Sequence, residues 1–280
     1  ACLIQSLKGD MGGIVSRTKP VEAKPSQIGA FGPSQTEGRL DVLVGLANSK
    51  STKLQQKSAN DIYSLVRNSE EGRAAEIAQS GGVEAMVRLF NSKSEEASAL
   101  ALRSIVELCK QERCREHVLN KGAWKVLTSS IEIGRMDYRE LALDALLCMC
   151  DEERYRERVI DEGLCACFLK LGSLTCTEDR VYVSLVDIKA LQVVQKIAVH
   201  DKIPCFVGMT AMEPLFAILH SSLTSAQHKV LAADVLARLC TDPAHHASVA
   251  SAWGGTGLSR IAYLARLSNP ALGMASAEML

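Results

Sequence analysis

The feature that most constrains the fold of this chain is a segment that recurs about every forty residues. In three copies a polar stretch is followed by Gly and an apolar run, which places Gly82, Gly122 and Gly163 at spacings of 40 and 41 residues. The same alignment puts Thr210 at the fourth position, 47 residues later. Such self-similarity is typical of stacked repeats, in which no unit covers its own apolar face alone.

Each unit ends with a segment whose apolar residues recur three to four positions apart, which is the pattern of one face of an amphipathic helix. The glycine is expected to let the chain turn sharply between a short first helix and a second helix. Polar residues such as those at 91–94 then form the turn before the closing helix. The five closing segments are 58–65, 101–108, 142–149, 190–197 and 232–239.

Composition agrees with a helical fold. The chain is 47% hydrophobic but only 4% aromatic, so its core residues are mainly aliphatic. Ala and Leu favour helices, whereas a sheet would call for more Tyr, Phe, Trp and Thr. The sequence therefore predicts an all-α protein.

The order of short helix, Gly, apolar helix, polar turn and Ala-Leu-x-x-Ile/Leu-x-x-Leu resembles the armadillo family over residues 38 to 270. The resemblance implies a right-handed α-solenoid of about five to six armadillo-type helical repeats, in a domain that we place at 38–280. HEAT-like repeats have a similar period and remain an alternative, as does a helical bundle without repeats.

The N-terminal segment 1–37 is interrupted by Gly and Pro throughout. Such a segment buries too little apolar surface to fold alone. We expect either a disordered tail or an extended arm that is ordered only on a partner or along the solenoid. Its apolar anchors would be Leu3, Ile4, Leu7, Ile14 and Phe31.

The C-terminal end is poor in charge. After Asp242 the charged residues are Arg260, Arg266 and Glu278, while Trp253 and Tyr263 lie among Ala, Gly and Ser. A terminal repeat normally has a polar outer face. We therefore expect that the native chain continues beyond its last residue or that a partner covers this end. The candidate terminal contacts are Leu3, Ile4, Leu7, Phe31, Trp253 and Tyr263.

The ten cysteines predict neither a disulfide scaffold nor a metal site. Cys109, Cys148 and Cys240 stand where Leu or Ala would stand on a helix, which favours buried thiols in a reducing compartment, the cytoplasm or the mitochondrial matrix. The pairs Cys148-x-Cys150 and Cys165-x-Cys167 have one residue between the thiols, whereas structural zinc sites prefer two to four.

Other motifs of catalytic or binding chemistry are weak. The adjacent His245 and His246 have diverging side chains, and the Gly-rich stretch 254–257 lacks the Lys-Ser/Thr of a phosphate loop. We therefore predict no enzyme and no cofactor. A formal net charge of zero argues against nucleic acid as a partner. No apolar run reaches the roughly 20 residues that span a bilayer, so we expect no membrane insertion.

The resemblance also indicates where a partner would bind. Armadillo proteins that hold extended peptides use an Asn in the pattern Ala-Leu-x-x-Leu-x-Asn-Leu on each closing helix, with a Trp nearby. In this chain neither the Asn nor the Trp is present at the matching positions. A mixed polar row on the concave face is the candidate binding surface instead, and it comprises Ser64, Glu107, Cys148, Lys196 and Arg238.

Two further segments are secondary candidates for contact with partners. The charged clusters at 110–116 and 151–158 occupy the same place in successive repeats and are interpreted as solvated faces, or else as a docking ridge. The segment 175–180 is predicted to be a surface loop inserted between repeats.

These observations predict a non-catalytic protein–protein interaction scaffold, and in particular an architectural or accessory subunit of a larger intracellular assembly. The expected partners are other proteins, such as subunits of a large complex. A free cytosolic adaptor that binds a peptide or helical segment on the concave face is the alternative. An enzyme with an unrecognised site is a more distant one.

Overall fold

The computed structural model describes residues 33–69, 71–132, 135–173, 185–198, 213–240 and 259, and all regular secondary structure in these ranges is helical. The helices are α1 (Pro33–Ala47), α2 (Thr52–Arg67), α3 (Glu71–Ile77), α4 (Val83–Phe90), α5 (Glu95–Lys110), α6 (Glu112–Val118), α7 (Trp124–Glu132), α8 (Met136–Met149), α9 (Glu153–Asp161), α10 (Cys165–Gly172), α11 (Leu185–Ile197), α12 (213–220) and α13 (Ala226–Cys240).

The helices form a solenoid of repeated units. Three complete units are α3–α4–α5, α6–α7–α8 and α9–α10–α11; α1 and α2 precede them, and α12 and α13 follow. The closing helices α2, α5, α8, α11 and α13 pack side by side in this order, each against the next. All five closing segments predicted from the sequence lie within these helices, so the predicted all-α solenoid is confirmed.

A single apolar core runs through the stack. Every closing helix carries an aliphatic residue at the same register position, and each of these side chains is at most 1% exposed. Burying one such side chain contributes about 1.5–3 kcal/mol relative to leaving it in water. Much of that burial comes from the helices of the neighbouring units. The five residues are Ile62, Ile105, Leu146, Val194 and Leu236.

The turn between the first and second helix of a unit depends on a glycine with positive φ. These glycines are Gly81 (φ 84°), Gly122 (φ 93°) and Gly163 (φ 71°), each 41 residues after the one before. The sequence alignment placed Gly82 in this role, which was wrong by one residue. Gly82 has an ordinary φ of −62° and is needed for another reason. A Cβ there would lie 2.5 Å from the carbonyl oxygen of Ile77.

The charged clusters contain a repeated structural contact. The Arg115 guanidinium donates a hydrogen bond from Nε to the carbonyl oxygen of Cys109 at 2.8 Å. Forty-one residues later, Arg156 donates to the carbonyl oxygens of Cys150 and Asp151 at 2.9 and 3.0 Å. Carbonyls at a helix C-terminus lack intrahelical partners. Each arginine therefore caps the closing helix that precedes it.

This capping corrects part of the interpretation of the clusters as solvated faces. The side chain of Arg115 is only 12% exposed and forms an ion pair with Glu152 of the next unit. In the second cluster, the Arg154 side chain is 51% exposed and pairs with Glu116 of the first cluster, across the two units. One face of each cluster thus holds neighbouring units together, and the other is solvated.

Several predictions concern residues outside the described ranges. α1 begins at Pro33, a few residues inside the segment 1–37 that the sequence assigned to an N-terminal arm. The proposed anchors before residue 33, the loop 175–180, and Trp253 and Tyr263 all lie outside the described residues. Within the described residues, no helix combines the length and apolarity that crossing a membrane requires.

The six cysteines with described side chains are free thiols. Burial raises the pKa of Cys109 and of Cys150 to about 12, and that of Cys165 to about 11. A thiol with so high a pKa has almost no nucleophilic thiolate at neutral pH. These three cysteines therefore behave as small core residues, as the sequence predicts for Cys109.

Replacing Gly122 by Ala is expected to lower the free energy of unfolding by about 1–2 kcal/mol, because φ is positive there and a side chain is strained. Gly45→Ala is the matched control. Gly45 lies inside α1, and a Cβ at that position would meet nothing within 4 Å. The control should stabilise the protein by about 0.5–1 kcal/mol. Urea denaturation monitored by circular dichroism measures the change in unfolding free energy for both variants. Equal effects of the two substitutions would contradict this account of the turn.

Alkylation of the native protein should distinguish two cysteines at the end of α8. Cys148 is half-buried, whereas Cys150 is buried and its pKa is raised to about 12. We expect iodoacetamide at pH 8 to modify Cys148 much faster than Cys150, as measured by peptide mass spectrometry over time. In denaturant the two rates should converge. Equal alkylation rates in the native protein would show that Cys150 is as accessible to the reagent as Cys148.

Candidate functional site: the inner face of the closing helices

The five predicted binding positions occupy one row across the closing helices. Ser64, Glu107, Cys148, Lys196 and Arg238 lie two residues after the buried aliphatic position of α2, α5, α8, α11 and α13, respectively, and all five are partly exposed. We call the solvent-facing side of these helices, centred on this row, the inner face. The structure therefore places all five residues on one surface, while their role in binding stays a prediction.

The charged members of the row are engaged with neighbours. Glu107 accepts a hydrogen bond from Lys110 Nζ at 2.7 Å. The Lys196 ammonium donates to the carbonyl oxygen of Leu147 at 3.0 Å and also pairs with Asp151. Arg238 Nε lies 2.9 Å from Asp234 Oδ2 on its own helix. A partner on this row would meet charges that are already paired. Recognition by complementary shape and by polar contacts is therefore favoured over an ion pair with a single free charge.

Polar contacts also join successive closing helices. Gln56 of α2 donates to Glu96 of α5 at 2.9 Å, and the Tyr138 hydroxyl of α8 donates to the carbonyl oxygen of Glu95 at 3.2 Å. Gln195 of α11 donates to Asp234 of α13 at 2.6 Å. Together with Lys189 and Lys196, these contacts form what we call the polar ladder. It bridges each adjacent pair of closing helices.

Lys189 joins α11 to α8. Its Nζ lies 2.7 Å from Asp144 Oδ1 and 3.0 Å from Glu140 Oε1. Partial burial acts to lower the pKa of the ammonium, but the hydrogen bonds to Asp144 and Glu140 outweigh burial, so the pKa is raised. Lys189 therefore remains cationic and holds two carboxylates of the inner face.

An open groove of about 530 Å³ lies at the N-terminal ends of α2, α5 and α8. We call it the edge groove. A second open groove, of about 510 Å³, lies between α6 and α9 and is lined by Glu112, Arg113, Glu116 and Arg154. The residues that define the edge groove are Gln56, Glu95, Glu96, Arg135, Asp137 and Tyr138.

Other chemical candidates have less support. Among the residues that the structure describes, no group of three or more His, Cys, Asp or Glu side chains could hold a metal ion. Cys148 is half-buried while Cys150 is buried, and the same difference separates Cys167 from Cys165. The dipeptide His245-His246 and the Gly-rich stretch 254–257 lie outside the described residues.

The polar ladder and the edge groove were not predicted from the sequence. The ladder joins residues 39 to 49 positions apart, such as Gln195 with Asp234 and Lys189 with Glu140. The available signal in the sequence was the occurrence of oppositely charged or complementary polar residues about one repeat apart. Choosing among the possible pairs required the rotation of each helix about its own axis, which the repeat pattern does not give.

Comparisons with known proteins concern the fold alone. No family model matches the chain, and no curated protein matches it. Among solved structures, a computationally designed armadillo repeat protein for modular peptide recognition superposes with a TM-score of 0.67 at 16% identity, covering 86% of this chain and 98% of its own. An engineered protein superposes with a TM-score of 0.64 at 19% identity, covering 86% of this chain and 95% of its own.

A third similar structure contains a bound peptide. It is a designed armadillo repeat protein in complex with the peptide (KR)4, with a TM-score of 0.65 at 15% identity, and the match covers 86% of this chain and 97% of that chain. These likenesses agree with the three-helix units, the glycine turns and the row of closing helices. The chain therefore has the armadillo-repeat fold, an all-α right-handed solenoid.

Proposed function

We propose that this chain is a non-catalytic scaffold that binds other proteins on its inner face, as an architectural or accessory subunit of a larger assembly. The observation that carries the proposal is the inner face itself: five neighbouring closing helices present one continuous row of partly exposed polar residues. Such an extended surface suits a polypeptide segment better than a small molecule, which needs an enclosed pocket.

The side chains of the inner face support a protein partner that presents both polar and apolar groups. The Asn that would bond the backbone of an extended peptide is absent from the row, and Lys196 and Arg238 are held by carboxylates. The half-buried Ser64 and Cys148 are the small side chains of the row. A helical or folded segment fits such a surface, because small residues allow a close approach.

The role as a fixed subunit rests on sequence features. The N-terminal segment 1–37 and the charge-poor stretch after Asp242 are easier to tolerate where a partner covers them. A reducing compartment, such as the cytoplasm or the mitochondrial matrix, is part of this proposal. The free thiols of the described cysteines are consistent with it.

A free adaptor that binds a peptide or helix on the same face is the second candidate. The designed armadillo protein in complex with (KR)4 shows that the fold can hold a peptide. Affinity purification from native extract at low salt, followed by sizing of the eluate, separates the two roles. A subunit should migrate with one large complex, whereas an adaptor should run largely as a monomer.

Bulky charged side chains on the inner face should strongly reduce the capture of partners. We expect Ser64→Arg in the row, and Gln192→Arg one helical turn before Lys196 on the same face of α11, to reduce the captured partners at least tenfold without lowering the melting temperature. The matched control is Ala166→Arg, which adds the same charge at an exposed position of α10. Quantitative mass spectrometry measures capture. Unchanged capture by both inner-face variants would show that partners bind elsewhere.

A further inference from the structure

The first helices of the solenoid can be aligned with the unit that follows them. The tetrapeptide Asn-Ser-Lys-Ser occurs at 48–51 and again at 91–94, so residues of α1 and α2 have equivalents 43 positions later in α4 and α5. α4 and α5 pack against α1 and α2 on one side and against the next unit on the other. Among the helices that the structure describes, α1 and α2 pack against each other and against the unit that follows them.

Side chains that the interior unit buries are exposed at this end of the stack. Val42 of α1 is 61% exposed, whereas its equivalent Ala85 is fully buried. Leu54 of α2 is 39% exposed, whereas its equivalent Ala97 is fully buried. Because α4 and α5 differ from α1 and α2 in having described helices before them, we attribute the burial of these two alanines to the preceding unit.

A contact further along the solenoid shows the same direction. In α8 the position of Leu54 is held by Tyr138, whose ring packs on Phe90 of α4 with centroids 6.1 Å apart. Its hydroxyl donates to the carbonyl oxygen of Glu95 in α5 at 3.2 Å. This position therefore faces the preceding unit. Leu65 lies about three helical turns after Leu54, on the same side of α2, and is half-buried.

We call Val42, Leu54 and Leu65 the end face. The outer face of a terminal repeat is normally polar. Here Val42 and Leu54 are larger and more apolar than the alanines that hold the same positions in α4 and α5. Apolar side chains are stabilised when they leave water, so the end face has the composition of a surface that is covered.

The sequence before α1 contains a short amphipathic pattern that could cover it. Leu3, Ile4 and Leu7 stand at positions i, i+1 and i+4, which share one face of a helix, and the residues at 5, 6 and 8 are polar. Gly9 follows, and Gly commonly ends a helix. An apolar face of this size matches the end face in chemistry.

The length of the intervening chain suits a contact within one molecule. Residues 9–32 separate this pattern from Pro33, the first residue of α1. A Gly-rich linker of about 24 residues spans on average roughly 25–30 Å. A helix of 15 residues, the length of α1, is about 22 Å long. A tether that matches its span gives an effective concentration of about a millimolar, which favours the tethered segment over a separate molecule.

We propose that residues 2–8 form a short helix that folds back onto the end face and takes the place of the closing helix of a preceding unit. Leu3, Ile4 and Leu7 cover the end face, and the polar residues at 5, 6 and 8 face solvent. The inference goes beyond the proposed scaffold function, because the contact forms within one chain and needs no partner.

Protection of a cysteine placed beside the end face tests the contact. The triple-serine variant carries Leu3→Ser, Ile4→Ser and Leu7→Ser. Asp61→Cys, at a partly exposed position between the two leucines of the end face, should be alkylated by iodoacetamide at pH 8 at least fivefold more slowly with the native segment than in the triple-serine variant. The control is Arg103→Cys at an exposed position of α5, whose rate should be the same in both. Peptide mass spectrometry measures the rates.

Melting temperatures test the same contact without a chemical label. Leu54→Ser and the triple-serine variant should each lower the melting temperature by about 2–4 °C, and their combination should lower it no further, because both remove one shared contact. The matched control is Leu223→Ser, which replaces a leucine that is 47% exposed between α12 and α13. Its effect should add to that of the triple-serine variant. Circular dichroism checks that all variants fold.

Three results would overturn the inference. Equal alkylation of Asp61→Cys with the native segment and with the triple-serine variant would show that residues 2–8 do not cover the end face. Protection that increases with protein concentration would show that a second copy covers it instead. Additive melting temperatures for Leu54→Ser and the triple-serine variant would show that the two sites are not in contact. Capture of partners on the inner face is measured separately, so the scaffold function can fail while this contact stands.

Discussion

The structure depends on apolar burial that no single unit completes. Each closing helix carries one aliphatic stripe, and the residues at its centre, such as Ile105 and Leu146, are fully buried because the neighbouring units cover them. Stability in such a stack is shared between adjacent units, with no distant contacts to add to it. The contacts between units, including the two arginine caps and the polar ladder, therefore decide how firmly the inner face is held.

The parallel order of the closing helices has an electrostatic consequence. Their N-terminal ends lie along one edge of the solenoid and their C-terminal ends along the other, so like ends of the helix dipoles are neighbours. Carboxylates such as Glu95 and Asp137 stand at the first edge. Arg115 and Arg156 bond the carbonyls at the second. This sorting of charge places the acidic edge groove at the first edge.

The inner face and the edge groove offer a partner different chemistry. On the inner face, charges such as that of Lys196 are paired with nearby carboxylates. In the edge groove, the ion pairs of Arg135 are exposed and therefore contribute at most about 1 kcal/mol.

Local sequence determined the units of this protein. The aliphatic spacing of 101–108 or 142–149 can be buried only as a helix, and its recurrence requires stacking, so the closing helices and their common row followed from the sequence. The position of the sharp turn was missed by one residue, because two adjacent glycines look alike in sequence while only Gly81 has positive φ. Tertiary structure alone decided the pairs between helices. Whether Lys189 meets Glu140, or Arg135 meets Glu95, depends on how neighbouring helices are rotated and offset, and that follows from packing of the whole core.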